Sequence, residues 1–174
     1  MKKNKIIPIA LAALLLSSCG SSNVKTYRPD PTAFTEFKNR NTGKVKLEGV
    51  KMPKGDTNSI MCRMAGNIYL PNKMKYSEYL NDVLNKALVV TDKLDDQHPA
   101  HSLSVELNKV DFDSIAGEWI IDGKVIVDHK GHHHVKTVTK YGTAYVADTA
   151  CKNAAESFDE AATVFAREVL SHVK

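Results

Sequence analysis

The sequence predicts an α+β fold: a largely antiparallel sheet with two amphipathic helices packed on one face, in the order β-β-α-β-β-β-α. Two segments repeat apolar residues at helical spacing, and five others alternate apolar and polar residues or are rich in β-branched types. Short connections separate the last three strand segments, which favours an antiparallel meander. Two amphipathic helices and one sheet each need a partner face, so we expect the helices to cover one side of the sheet.

The first two predicted strands precede the first helix. Residues 44–52 mix apolar and charged side chains, as edge strands do, and Pro53 begins a turn. Residues 59–70 alternate most clearly and are predicted to form one strand. Arg63 lies on one face of it, as either a solvated charge or half of a partner contact. The other face carries apolar or small residues, namely Ile60, Cys62, Met64, Gly66, Ile68 and Leu70.

The two predicted helices flank three further strands. Residues 76–94 have the apolar period of an amphipathic helix. The three strands follow at 102–112, 119–127 and 135–146. A slip in the alternation near Asn108 indicates a bulge, and Trp119 is expected in the core. Residues 149–173 form the last helix, along an apolar stripe that begins at Cys151.

The N-terminal residues have the pattern of a secretory signal. Residues 1–5 are basic, and residues 6–16 form an apolar run that is too short to span a bilayer, which needs about 20 apolar residues. We predict a signal peptide at residues 1–18. Residues 19–41 are polar and contain two prolines, so we predict a flexible tether there, followed by a single α+β domain at 42–174.

The segment Leu16-Ser17-Ser18-Cys19 resembles the bacterial lipobox, in which an aliphatic residue and two small residues precede an obligatory cysteine. The resemblance implies that the thiol of Cys19 receives a diacylglyceryl group and that the chain is cut just before it. Gly20 follows the cysteine where an aspartate would favour the inner membrane, which implies transfer to the outer membrane. We therefore expect a lipid-anchored, periplasm-facing protein with no cofactor other than the covalent lipid on Cys19.

Charge argues against a nucleic-acid-binding class. The chain has 24 basic and 20 acidic residues. Removal of the three lysines in the predicted signal leaves 21 basic residues and a net charge of +1, which is far from a strongly basic surface. The expected partners are the membrane, through the lipid, and a protein of the cell envelope.

Two cysteines remain once Cys19 carries lipid. Because an exported compartment is oxidising, Cys62 and Cys151 are predicted to form a disulfide. Cys62 lies on the apolar face of the second strand and Cys151 begins the apolar stripe of the last helix, so both side chains are expected to face one interface. Two independently buried thiols are the alternative.

One segment of the chain is rich in histidine. His129, His132 and His134 are candidate ligands for a transition metal, because imidazole is a common ligand of such ions. In a strand His132 and His134 would converge on one face while His133 points away. Lys130-Gly131 has the character of a hairpin tip, so a solvated hairpin without metal is the favoured interpretation.

An enzyme is not predicted. The chain has no Gly-x-Ser-x-Gly, no His-Glu-x-x-His and no phosphate-binding glycine loop. Asp111 and Asp113 could act as paired carboxylates, but such pairs are common at strand ends. No catalytic residue is assigned. A binding or accessory module ranks first, a metal- or small-ligand-binding lipoprotein that uses the segment from His129 to His134 ranks second, and an envelope hydrolase ranks third.

Motifs in the domain itself resemble a set of uncharacterised proteobacterial lipoproteins. These motifs are Cys62-Arg63-Met64-Ala65-Gly66 on a strand, Tyr76-Ser77-Glu78-Tyr79-Leu80 at a helix start and Cys151 at the start of the last helix. The order of elements is similar to that of small outer-membrane assembly and transport-auxiliary lipoproteins, including the lipopolysaccharide-assembly type. This resemblance implies a module that serves another component of the cell envelope.

Overall fold

The computed structural model describes residues 21–64 and 66–174, and its fold is α+β, as predicted. The helices are α1 (Thr35–Asn39), α2 (Tyr76–Val90) and α3 (Ala147–Ser171), with short 3₁₀ helices at Pro31–Phe34 and Pro71–Lys73. The strands are β1 (Ser22–Asn23), β2 (Val45–Lys51), β3 (Ser59–Cys62), β4 (Gly66–Tyr69), β5 (His101–Asp113), β6 (Glu118–Val127) and β7 (Gly131–Lys140). The predicted signal peptide at 1–18 and the lipidation site at Cys19 lie outside the described residues.

A four-stranded sheet in the order β2-β5-β6-β7 forms the centre of the fold. Strands β5, β6 and β7 form the antiparallel meander, with a bulge between Leu107 and Lys109. Strand β2 pairs with β5 in parallel, so the sheet is mixed and departs from the antiparallel pattern expected. The connection explains the difference: α2 lies between β2 and β5 in the chain, and a helical crossover allows two strands to run in the same direction.

Residues 59–70 form a hairpin and not the single strand that the alternation predicted. Strands β3 and β4 are antiparallel, with Cys62 opposite Gly66. Between them, Arg63 and Met64 have positive φ angles of 46° and 55°. Residues opposite each other in a ladder point to the same face, so the apolar alternation continues unbroken through this turn and does not reveal it. Strand β1 pairs with β4 in parallel, which completes a small three-stranded sheet.

The segment expected to be a flexible tether is packed into the domain. Four of its residues are buried in the core, namely Val24, Tyr27, Phe34 and Phe37. The hydroxyl oxygen of Tyr27 lies 3.1 Å from that of Thr163 on α3. Strand β1, the first 3₁₀ helix and α1 place these side chains at irregular intervals, so no period marks them in the sequence. The packed domain therefore begins near residue 22 and not at 42.

The two long helices and the four-stranded sheet share one core. Helix α3 lies against β6 and β7, and α2 lies against β2. Trp119 on β6 is fully buried, with its ring centroid 4.6 Å from that of Phe158 on α3. Its indole N–H donates to the carbonyl oxygen of Ala154 at 2.8 Å. In the described part of the chain, no helix is both long enough and apolar enough to cross a membrane.

Candidate functional site

Three connections of the chain meet at one end of the molecule. They are the β3–β4 turn at Arg63 and Met64, the β5–β6 turn at 114–117 and the β7–α3 connection at 141–146. The meander brings the second and third of these together, because the start of β6 is paired with the ends of both β5 and β7. The β3–β4 turn belongs to the other sheet and is held here by specific bonds.

The first of these bonds is a disulfide between the hairpin and α3. Cys62 and Cys151 are buried and bonded, with their Cα atoms 5.9 Å apart. The disulfide predicted from the sequence is therefore present. Cys151 lies near the start of α3, so the bond holds the end of β3 beside the β7–α3 connection.

Arg63 provides the second set of bonds. Its Nε donates to the hydroxyl of Ser114 at 2.9 Å, and one terminal nitrogen donates to the carbonyl oxygen of Ala144 at 2.8 Å and to that of Tyr145 at 3.2 Å. The other terminal nitrogen donates to the carbonyl oxygen of Ser114. Because the guanidinium group is a planar fork with five donors, one side chain can join three separate connections. Arg63 is thus a structural clamp.

The β5–β6 turn is held by hydrogen bonds from its amides to the side chain of Asp113. The carboxylate of Asp113 accepts from the amides of Ile115 at 2.7 Å and Ala116 at 2.9 Å, and these two hydrogen bonds lower the pKa of Asp113. Gly117 has a φ of +68°, and a Cβ atom there would lie 2.4 Å from the carbonyl oxygen of Tyr141. A glycine is therefore required, and the turn has a defined shape.

These ordered connections present apolar side chains to solvent. Met64 is 90% exposed, Ile115 is 81% exposed, Val146 is 65% exposed and Tyr145 is fully exposed. Arg63, Ile115 and Tyr145 line one open groove between the connections. We call Met64, Ile115, Tyr145 and Val146 the tip surface. Monomeric proteins rarely cluster large apolar side chains on the surface, and such clusters mark contact sites.

The first described residues lie at the same end of the molecule. Ser22 of β1 is paired with Ile68 of β4, and β1 runs in the same direction as β4, which begins at the β3–β4 turn. Ser21 and Ser22 line a groove together with Asp148 and Lys152 in the first turns of α3. Since Asp148 follows Val146 by two residues, Ser21 lies at the same end of the domain as the tip surface.

The structure separates the three candidate metal ligands. His129 in the β6–β7 turn approaches Glu48 of β2 at 3.3 Å, whereas His134 approaches Asp122 of β6 at 3.1 Å. His132 is exposed beside His134 on the outer face of β7, as the alternation predicted. Within residues 21–64 and 66–174, no group of three or more histidine, cysteine, aspartate or glutamate residues is arranged to hold a metal ion.

The opposite face of the same strand carries a pair of stacked imidazoles. The ring of His133 lies parallel to that of His172, just beyond the end of α3, with 4.5 Å between the ring centroids. Burial and, to a smaller extent, the nearby His133 lower the pKa of His172. Hence His172 favours its neutral form, and the stacking contact links the histidine-rich hairpin to the end of the last helix.

The candidate carboxylate pair does not form a site. Asp113 caps the β5–β6 turn, whereas the carboxylate of Asp111 lies 2.8 Å from the amine of Lys109 on the same strand. No sequence pattern singled out Ile115, Tyr145 or Val146 as candidate site residues. The last two fall within 135–146, which was predicted as one strand, but β7 ends at Lys140. An apolar pair directly before a helix start is the signal that could have identified them.

Comparison with known proteins identifies a shared fold and no family. No family model matches the chain, and no curated protein matches it. The structure is similar to the crystal structure of an uncharacterized protein, with a TM-score of 0.50 and 13% sequence identity. The match covers 86% of this chain and 99% of the other. At this identity the similarity is one of fold.

Proposed function

We propose that this chain is an outer-membrane lipoprotein, anchored through lipid on Cys19 and facing the periplasm, whose domain is a binding or accessory module for another component of the cell envelope. The tip surface is the observation that carries the proposal. Four apolar side chains stand in solvent at the one end of the domain that is held together by a disulfide and by Arg63. The contact site of the module is this surface.

Energetics favour a contact role for the tip surface. Complete burial of one large apolar side chain contributes roughly 1.5–3 kcal/mol. The backbone beneath the four side chains is already ordered by Arg63, Asp113 and the disulfide. Binding there consequently loses little conformational entropy, and most of the gain from burial is retained.

The disulfide and the lipobox support the same location. A buried disulfide persists in an oxidising compartment, such as the bacterial periplasm, and is rare in the cytosol. The Leu16-Ser17-Ser18-Cys19 segment supplies the cysteine that lipid attachment requires. Two acyl chains are enough for stable membrane anchoring, because each buried methylene contributes about 0.8 kcal/mol.

Replacement of the anchor cysteine tests the proposal. We expect Cys19→Ala to abolish labelling by a fatty-acid probe and to move the protein out of the membrane fraction or leave it uncut, because no thiol remains to accept the lipid.

Photocrosslinking tests the contact role of the tip surface. In protein that keeps Cys19, a photoreactive residue at position 115 should capture an envelope component, and the same residue at position 89 should not. Val89 is also an exposed apolar residue, but it lies on α2.

The matched control is the double variant Cys62→Ala/Cys151→Ala, which removes both other cysteines and should keep the fatty-acid label. Normal labelling of Cys19→Ala would refute the anchor. Equal capture from positions 115 and 89 would show that the tip surface has no preferred contact.

A further inference from the structure

We infer that the component in contact with the tip surface is the lipid bilayer that holds the anchor. Met64, Ile115, Tyr145 and Val146 enter the interfacial layer of the leaflet into which the acyl chains of Cys19 insert, and they fix the orientation of the domain on the membrane. The inference rests on the proposed function, because it requires lipid on Cys19.

Covalent geometry places the anchor close to the tip surface. Cys19 precedes Ser21 by two residues, and an extended chain spans at most about 3.6 Å per residue. The Cα atom of the lipidated residue therefore lies within about 7 Å of that of Ser21. Ser21 itself lines the same groove as Asp148, which follows Val146 by two residues. The leaflet thus has to meet this end of the domain.

The short distance also favours a bilayer over a protein as the occupant. An α-helix with its side chains is about 10–12 Å wide, which is more than the roughly 7 Å of chain between the anchor and the domain. A protein layer would therefore have difficulty entering between the leaflet and the tip surface.

The chemistry of the four side chains suits a membrane interface. Isoleucine, valine and methionine are apolar, and tyrosine is enriched where membrane meets water because its ring is apolar and its hydroxyl is polar. Helices that lie on membranes bury apolar side chains about 5–10 Å into the boundary between head groups and acyl chains. The three connections present side chains of this kind from turns and not from a helix. The charge of Arg63 is directed inward, to backbone carbonyl oxygens.

Tryptophan reporters in the full lipidated protein test the inference. Tyr145→Trp and Ile115→Trp place a fluorophore on the tip surface, and Val89→Trp places one on the exposed side of α2 as the matched control. Each variant is reconstituted into phosphatidylcholine vesicles with and without bromine on the acyl chains. The signal of the buried Trp119 is measured in the parent protein and subtracted.

We expect brominated lipid to reduce the added emission at positions 145 and 115 by about twofold or more, since an interfacial side chain reaches the depth of the acyl boundary. The emission of Val89→Trp should not change. No quenching at either tip position, in protein that floats with the vesicles and whose mass shows acylated Cys19, would overturn the inference and leave the tip surface to a protein partner. Absence of the acyl mass would instead refute the proposed function, and the inference with it.

Discussion

Arg63 shows what a single residue contributes at the tip surface. From the sequence it was either a solvated charge or half of a partner contact, and the structure shows it bonded to groups within the domain. Its guanidinium group bonds to Ser114, Ala144 and Tyr145, which are 51 to 82 residues away in the chain. No local pattern predicts such a contact, because it depends on how two sheets are placed. By contrast, Trp119 and the cysteines were predictable, since each lies on an apolar face.

The lowered pKa of His172 predicts that the stability of the domain depends on pH. The pKa of His172 is lowered from its ordinary value of 6.5, first by burial and then by His133. An unfolded chain binds this proton near pH 6.5, whereas the folded chain binds it only at lower pH. The free energy of unfolding should therefore fall as the pH decreases below about 6.5. We expect His133→Phe to reduce this loss by up to about 1 kcal/mol, because it keeps an aromatic neighbour and removes an imidazole that lowers the pKa of His172.

Urea unfolding at about pH 7.5 and pH 5.5 measures the effect, since the first value lies above the ordinary histidine pKa and the second below it. His132→Phe is the control, because that side chain lies on the outer face of β7 and does not stack on His172. The explanation is incorrect if both variants lose the same stability on acidification as the parent protein.

At the level of elements, the sequence predicted strands and helices well and their connections poorly. The long helices, the meander and the bulge near Asn108 follow from periods that packing imposes on any amphipathic element. The β3–β4 turn was missed because a three-residue loop leaves the alternation intact. The parallel pairing of β2 was missed because strand direction depends on the crossover formed by α2, which no period reports.

The disulfide is expected to stabilise the fold strongly, because it joins distant parts of the chain. Cys62 and Cys151 are separated by 89 residues. Closing a loop of that length lowers the entropy of the unfolded chain, which stabilises the folded state by roughly 4–5 kcal/mol in the entropy model. We expect the free energy of unfolding of the double variant Cys62→Ala/Cys151→Ala to be lower than that of the parent protein by about this amount. Urea unfolding under oxidising conditions measures the loss.

Reduction of the parent protein serves as the control and should give a similar loss. Mass spectrometry without reductant adds an independent check, because neither cysteine should react with an alkylating agent in protein taken directly from cells. Two alkylated thiols in that sample would show that the bond does not form in the cell.

At the level of the whole molecule, the segment before β2 is part of the core. Phe34 is fully buried in the cluster that contains α2 and α3. Truncation of a buried phenylalanine to alanine costs about 3–5 kcal/mol, because apolar contacts are lost and a cavity remains. We expect Phe34→Ala to lower the free energy of unfolding by that amount. The same substitution in a flexible tether would leave the free energy of unfolding unchanged.

Lys38→Ala is the matched control, since Lys38 lies four residues later and is exposed. Its free energy of unfolding should stay within about 0.5 kcal/mol of the parent value. A loss below about 1 kcal/mol for Phe34→Ala, which is well under the usual cost of such a change, would restore the tether interpretation.

The length of β7 determines how far the histidine-rich hairpin lies from the tip surface. Ten residues at about 3.3 Å each place Gly131 roughly 30 Å from Lys140, which lies beside the tip connections. With the tip surface on the leaflet, the histidine-rich hairpin would stand at about that height above the membrane. In that orientation, a molecule in solution could reach this end freely. A neighbour held in the same leaflet would meet it only if its own domain were equally tall.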